Sequence, residues 1–334
     1  QAMADRYTYL PAIGLSLVLA QAVAPLVSGL DFRLRRAGVA LVGLIVAGLA
    51  VRTWDQQGVW RDADALFNQA LAVTRDNYVA HSALALQRLG DNRVEEAARH
   101  AEAALAIAPE SPLVLDTVGS VRLAQGRVDE AIQAYRAVIA RQPNAVSAKC
   151  DLGQVLLAQN RIDEAETLFD EARHTRPVSV PAHLGLADVA VARGRPDEAL
   201  RWLTRAQELA PRDVRTILRV AALQFQLGRR DEAAATLGLA AALEPDNPEL
   251  QRDVGDALGQ LGRFEGAAAA YGRVVALVPG DAAAHARLGY VQFLLNRPEE
   301  AIRSWETALR LDPGMSELHQ RIQRARSRLP AGER

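Results

Sequence analysis

The feature that most constrains this chain is a proline that returns every 34 residues. The series consists of Pro109, Pro143, Pro177, Pro211, Pro245, Pro279 and Pro313. Twelve residues before each proline stands an alanine, usually after two acidic residues, and eight residues before it stands a residue that is bulky in most units. A fixed period of this length predicts an array of similar units, each burying its apolar face on its neighbours.

Each unit reads as a pair of helices. Near the middle of each unit a glycine or asparagine is followed by arginine, as at Gly126-Arg127 and Asn160-Arg161. Gly and Asn accept the left-handed backbone that ends a helix, and proline ends the second helix because it has no N–H to continue the hydrogen-bond ladder. The alanine lets the two helices approach closely, while the bulky residue fills the space between them.

This pattern resembles the tetratricopeptide repeat, whose 34-residue units are pairs of antiparallel helices. The resemblance covers seven full units over residues 78–315 and implies an all-α superhelical solenoid. Residues 60–77 are predicted to form a leading half repeat with one helix. Residues 316–334 are predicted to form a capping helix and tail, because an array needs a polar outer end.

Residues 1–59 have a different composition and predict a two-helix membrane hairpin. No ionised side chain occurs between residues 7 and 30, or in a second run over residues 37–51. The first run is long enough to cross a bilayer, and the second approaches that length if its flanking arginines snorkel outward. Both runs are therefore predicted to contact the lipid bilayer.

The basic turn of this hairpin predicts its orientation. Arg33, Arg35 and Arg36 lie between the two apolar runs. The positive-inside rule places this turn in the cytoplasm and the repeats outside it, in a periplasm or lumen. Two alternatives stay open: a secretory signal cleaved near Ala22, and two buried helices that cap a soluble array. Because the chain begins with Gln1, we also expect it to be the C-terminal piece of a longer protein.

A second resemblance concerns the join between the membrane segment and the repeats. The residues that carry the resemblance are ADRYTYLP at residues 4–11, WRD at residues 60–62, Leu66-Phe67 and Asn77. With these residues, this part of the chain resembles the transmembrane and tetratricopeptide-repeat O-mannosyltransferases and their bacterial relatives. That family transfers a sugar from a polyprenyl-phosphate donor to protein. Its acidic catalytic motif lies upstream of the part that this chain resembles, so the resemblance implies no activity for this chain alone.

The same resemblance makes Asp5, Arg6 and Tyr7 candidates for contact with the lipid-linked sugar donor. An interfacial anchor with an aromatic belt is the alternative. The function predicted is a membrane-anchored, extracytoplasmic scaffold that forms the acceptor-binding part of a membrane protein O-glycosyltransferase. The alternative function is a free-standing membrane-anchored or secreted adaptor.

Composition excludes several other classes of function. With 39 basic and 40 acidic residues the chain has no overall basic field for a nucleic acid. Cys150 is its only cysteine, and four of its six histidines return at one repeat position, which favours packing over metal binding. The sequence therefore predicts no catalytic residue, no cofactor and no metal site within this chain.

The remaining chemistry is recognition of polypeptide. As the resemblance implies, positions 2, 5, 6, 9 and 12 of each unit, counted from Tyr78 in the first, face a concave groove. Arginine at such positions can pair with carboxylates or hold backbone carbonyls. The candidates for binding an extended segment are Arg215, Arg219, Arg252, Arg287, Leu157, Phe225 and Phe293. A mixed, solvated surface is the alternative interpretation of the arginines.

Overall fold

The computed structural model describes residues 63–329, together with the single residues Leu44 and Gly48. Over residues 63–329 the chain forms sixteen helices and no strand, which confirms the predicted all-α fold. The predicted hairpin and the candidates Asp5, Arg6 and Tyr7 otherwise lie outside the described residues. Among the residues that are described, no helix has the length and apolar character needed to cross a membrane.

The helices follow one another as seven pairs, with a single helix at each end. The single helix α1 spans Ala63–Val73 and α16 spans Glu317–Arg326. The first helices of the pairs are α2 (Tyr78–Gly90), α4 (Pro112–Ala124), α6 (Val146–Ala158), α8 (Val180–Ala192), α10 (Val214–Gln226), α12 (Pro248–Gln260) and α14 (Ala282–Leu294). The second helices are α3 (Val94–Ile107), α5 (Val128–Arg141), α7 (Ile162–Thr175), α9 (Pro196–Leu209), α11 (Arg230–Leu243), α13 (Phe264–Leu277) and α15 (Pro298–Leu311).

Local sequence sets the ends of these helices. Several first helices begin at a residue whose side chain accepts a hydrogen bond from a backbone N–H three residues on, as at Asn77, Ser179, Asn247 and Asp281. The turn inside each pair places a glycine or asparagine at positive φ, from Asn296 at 59° to Gly126 at 75°. These residues are the turn positions that the sequence predicts.

The core lies between the paired helices. The alanine twelve residues before each proline is 0% exposed in all seven units, as in Ala97 and Ala165. The bulky position is also buried, with Tyr135, Phe169 and Trp305 among the largest fully buried side chains. Small and large residues thus alternate across the pair, as close packing requires.

A second small residue, in the first helix, completes this packing. Gly119, Gly153, Gly255 and Gly289 each stand sixteen residues before the aromatic residue of the same unit. A Cβ atom on Gly153 would lie 2.8 Å from the Phe169 ring, and one on Gly289 would lie 2.6 Å from Trp305. In the units whose bulky position holds alanine or leucine, alanine replaces this glycine.

The described helices belong to two compact units, with the boundary after Pro143. We call these two bodies the first unit and the second unit, as distinct from the seven repeat units. Helices α1–α5 lie in the first unit and α6–α16 in the second. Within each unit a helix packs mainly against the helices adjacent to it in the chain. This local packing is the nearest-neighbour arrangement expected of a repeat array.

Candidate functional site

The second unit contains a cleft of about 580 Å³, which we call the C-terminal cleft. Its walls come from the first helices α12 and α14, from α13 and from the terminal helix α16. Asp256 and Gly259 come from α12, Tyr290 and Leu294 from α14, and Arg321 from α16. Several of these residues stand at the positions that the resemblance places in the groove.

A hydrogen-bonded network fixes one wall of the cleft. The Tyr271 hydroxyl donates a short hydrogen bond to Asp256 Oδ1, and Arg287 donates to Asp256 Oδ2 over 2.5 Å. Burial, and then the bond to Asp256, raises the pKa of Tyr271 well above its usual range. The phenol therefore keeps its proton and acts as a fixed donor.

The same cleft offers an exposed aromatic ring. Tyr290 is 48% exposed, and the Arg321 guanidinium carbon lies 5.5 Å from its ring centroid. Within residues 63–329 Arg321 forms no ion pair. With Leu294 also exposed, the cleft combines apolar surface with a free guanidinium and a fixed network.

Most of the predicted groove arginines are paired with carboxylates inside the fold. Arg219 contacts Asp188, and Arg287 contacts Asp256, so position 6 of one unit meets position 9 of the unit before it. Arg252 contacts Asp281 at 2.8 Å. Arg215 is exposed and has no ion pair in the described part of the chain. The structure thus brings Arg287 to the cleft, ties Arg219 to the preceding repeat and ties Arg252 to the start of α14.

Asp281 also anchors the start of α14. Burial acts to raise its pKa, but the backbone N–H of Ala284 and the Arg252 guanidinium together hold the pKa of Asp281 below its usual range. The carboxylate therefore joins helix capping to the contact with Arg252.

The three apolar candidates differ in their exposure. Phe225 is 41% exposed, whereas Leu157 is half-buried. Phe293 packs 5.7 Å from Trp305, measured between ring centroids, and the Arg328 guanidinium lies 4.1 Å above it. Only Phe225 of the three therefore offers a largely open surface.

Sequence reasoning missed the residues that build the C-terminal cleft. Tyr290 stands at position 9, where an aromatic side chain on a predicted groove position is a signal in its own right. Arg321 lies in α16, for which the sequence predicts only a capping role. Its contact with Tyr290 depends on how α16 packs beside α14, which the repeat period does not specify.

Cys150 and His183, which have nucleophilic or ligand chemistry, are buried in the fold. Burial raises the pKa of the Cys150 thiol to about 11, so the thiolate is scarce at neutral pH. His183 is buried, and its Nδ1 lies 2.8 Å from the Ser179 carbonyl oxygen. Over the described residues, no three His, Cys, Asp or Glu side chains come together as metal ligands would.

Comparisons with known proteins agree with the repeat pattern. The profile of the family described as the cilia and flagella-associated protein 70 C-terminal domain matches residues 63–325. Among curated proteins, the chain is 28% identical over 107 residues to the protein O-mannosyl-transferase Tmtc2 of Drosophila melanogaster. That stretch is 32% of this chain and only 11% of the length of Tmtc2.

Solved structures with related folds are more distant. A tetratricopeptide repeat protein from Parabacteroides merdae is 17% identical, with a TM-score of 0.45 over 84% of this chain and 96% of its own. The Cut9-Hcn1 hetero-tetramer structure of the APC/C is 16% identical, with a TM-score of 0.49 over 79% of this chain and 51% of that chain. By its repeats and by the family profile that spans them, the chain belongs to the tetratricopeptide-repeat family of the cilia and flagella-associated protein 70 C-terminal domain.

Proposed function

We propose that the second unit binds an extended polypeptide on the face formed by its first helices. The observation that carries this proposal is the C-terminal cleft, where half-exposed Tyr290 lies beside the guanidinium of Arg321 and the Asp256 network lines the same cleft. Exposed aromatic rings supply large contact area, and arginine is frequent at strong binding positions.

The chemistry of the cleft suits a polypeptide better than a small polar metabolite. Exposed apolar side chains of the first helices in this unit concentrate at groove positions, with Val191 and Phe225 at position 12 and Tyr290 at position 9. An extended chain presents alternating side chains to such a surface, while its carbonyls can accept from guanidinium groups. An extended polypeptide could therefore make repeated contacts with the groove positions of successive first helices.

Binding of peptides to the full chain tests the proposal. In detergent, we expect the wild-type chain to bind a degenerate nonapeptide library, and Tyr290→Ala to weaken that binding about tenfold, the loss typical of a strong interface residue. Leu239→Ala is the matched control, because Leu239 is similarly exposed at 43% but lies on the second helix α11. Equal binding by all three chains would refute this site.

We further propose that the bound polypeptide is the acceptor of a membrane protein O-glycosyltransferase of which this chain is the C-terminal part. The limited similarity to Tmtc2 and the apolar runs at residues 7–30 and 37–51 support this proposal. The repeats would then lie outside the cytoplasm, with Asp5, Arg6 and Tyr7 near the lipid-linked donor. By raising the local concentration of acceptor, the repeats would assist transfer without taking part in it.

Cysteine labelling tests the membrane part of this proposal. A membrane-impermeant thiol reagent applied from outside is expected to label Asn144→Cys but not Leu34→Cys. The native Cys150 does not interfere, because it is buried and its pKa is raised. Labelling of Leu34→Cys alone would reverse the orientation and remove the extracytoplasmic assignment.

A further inference from the structure

The first helices of the first unit, α2 and α4, present a largely apolar face. Positions 2, 5, 6, 9 and 12 of α2 and α4 hold, in order, Val79, Ser82, Ala83, Leu86, Leu89 and Leu113, Asp116, Thr117, Ser120, Leu123. Four of the five large apolar side chains among them are 40–47% exposed. We call these ten positions the Asp116 face, because Asp116 is their only ionisable residue.

Asp116 is costly to the fold as it stands. One of its carboxylate oxygens, Oδ1, is buried and has no hydrogen-bond partner in the described structure. Asp116 also makes no ion pair within residues 63–329. Burial raises its pKa, which shows that the surroundings disfavour the charged form. A buried, unpaired polar atom of this kind calls for a physical explanation.

The neighbouring hydroxyl groups do not meet this need. Thr117 Oγ1 donates to the Leu113 carbonyl over 2.8 Å. Ser120 Oγ lies 3.2 Å from the Asp116 backbone carbonyl and also 3.2 Å from the Tyr135 hydroxyl. In the second unit, by contrast, the groove carboxylates Asp188 and Asp256 contact Arg219 and Arg287. No group of the described structure supplies a partner for Asp116 Oδ1, so this oxygen is left to accept from a cation or N–H donor of a bound ligand.

We propose that the Asp116 face binds a polypeptide segment in which apolar side chains flank a lysine or arginine, and that this cation pairs with Asp116. The apolar residues of the segment would cover the exposed valine and leucines around the carboxylate. Excluding water in this way strengthens the ion pair, while the pair offsets the desolvation of Asp116. The inference rests on the proposed function only in assuming that first-helix faces bind polypeptide, since its residues lie in the other unit.

Three peptide libraries test the inference with the full chain in detergent. All are nonapeptides with degenerate apolar flanks and a fixed central residue, which is lysine, glutamine or glutamate. We expect the wild-type chain to bind the lysine library about tenfold more tightly than the glutamine library, with the glutamate library weakest. Asp116→Asn is expected to remove this preference while keeping the shape of the side chain.

Matched variants make the result decisive. Asp253→Asn removes an exposed carboxylate at a groove position of the second unit and is expected to keep the lysine preference. Leu86→Gln, at an exposed position, is expected to weaken the lysine and glutamine libraries alike. Equal affinity of wild type for lysine and glutamine, or a lysine preference that survives in folded Asp116→Asn, would overturn the inference. Tyr290→Ala is expected to keep the lysine preference, because Tyr290 lies in the second unit, so the two proposals can fail separately.

Discussion

Five glycines of the first helices stand where an aromatic ring leaves no room for a Cβ atom. The Phe169 ring illustrates the point, because it is fully buried between Gly153 of its own unit and Gly185 of the next. Where the bulky position holds leucine, as at Leu203 and Leu237, the facing residue is alanine instead. The volume of each pair is thus balanced within its unit.

This balance predicts opposite effects for one type of substitution. Gly153→Ala is expected to lower the free energy of unfolding by about 1–3 kcal/mol, because the new methyl group meets a confined ring. Gly238→Ala, in an open position of α11, is expected to raise it by about 0.5–1 kcal/mol through helix propensity. Adding Phe169→Leu to Gly153→Ala recreates the Ala–Leu pair found at Ala187 and Leu203. Urea unfolding of wild type, Gly153→Ala, Phe169→Leu and the double variant checks the coupling, and strictly additive effects would contradict it.

A histidine pair in the first unit predicts a dependence of stability on pH. His81 and His100 approach to 3.1 Å between their Nδ1 atoms. Burial lowers the pKa of both, and for His100 the charges of His81, Arg88 and Arg99 lower it further. Because the unfolded chain then binds more protons in this range, stability is expected to fall as the pH drops below about 6.5.

The variant His81→Gln with His100→Gln is expected to weaken that pH dependence. His319→Gln is the matched control, because His319 is exposed on α16. Urea unfolding at pH 7.5 and pH 5.5 provides the measurement. A pH dependence that is unchanged in the double variant would show that other groups cause it.

At the scale of the helix pair, neighbouring units are joined by contacts that the repeat period alone does not reveal. The fold was predictable because the proline series, the alanines and the turn residues all stand in the sequence at fixed spacing. The groove arginines were harder to interpret, since the partners of Arg219 and Arg287 lie 31 residues earlier in the chain. Only the packing of adjacent first helices shows that position 6 meets position 9 of the preceding unit.

Contacts between neighbouring repeats also predict that the repeats are not freely interchangeable. Removing residues 214–247 deletes one helix pair in register and is expected to leave a folded, helical array, because each unit packs mainly on its neighbours. Removing residues 180–213 also keeps the register but puts Arg219 in the place of Gly185, against the confined Phe169 ring. We expect this second deletion to be less stable by about 1–3 kcal/mol.

Adding Arg219→Gly to the second deletion is expected to recover much of the lost stability. This recovery would identify the overlap of Arg219 with the Phe169 ring as the cause of the loss. Circular dichroism and thermal unfolding of the three deletion chains provide the measurement. Loss of helicity after removing residues 214–247 would contradict nearest-neighbour packing. Equal stability of the two simple deletions would contradict the role of Gly185.

At the scale of the whole molecule, the two units offer different chemistry to a polypeptide. In the second unit Tyr290, Arg321 and the Asp256 network form a cleft whose charges are mostly satisfied. In the first unit an apolar face surrounds one unpaired carboxylate, Asp116. Sequence could indicate which positions face the groove but not which of their charges find partners, because pairing depends on the geometry between units.

The most direct test of polypeptide binding by the first helices is site-specific photocrosslinking. The photoreactive residue p-benzoylphenylalanine, placed at Phe225 on α10 or at Leu239 on α11, samples two similarly exposed sites on the two kinds of helix. With the full chain and the degenerate nonapeptide library, we expect crosslinked peptide at residue 225 and little at residue 239. Equal crosslinking at the two sites, or crosslinking at residue 239 alone, would contradict binding by the first-helix face.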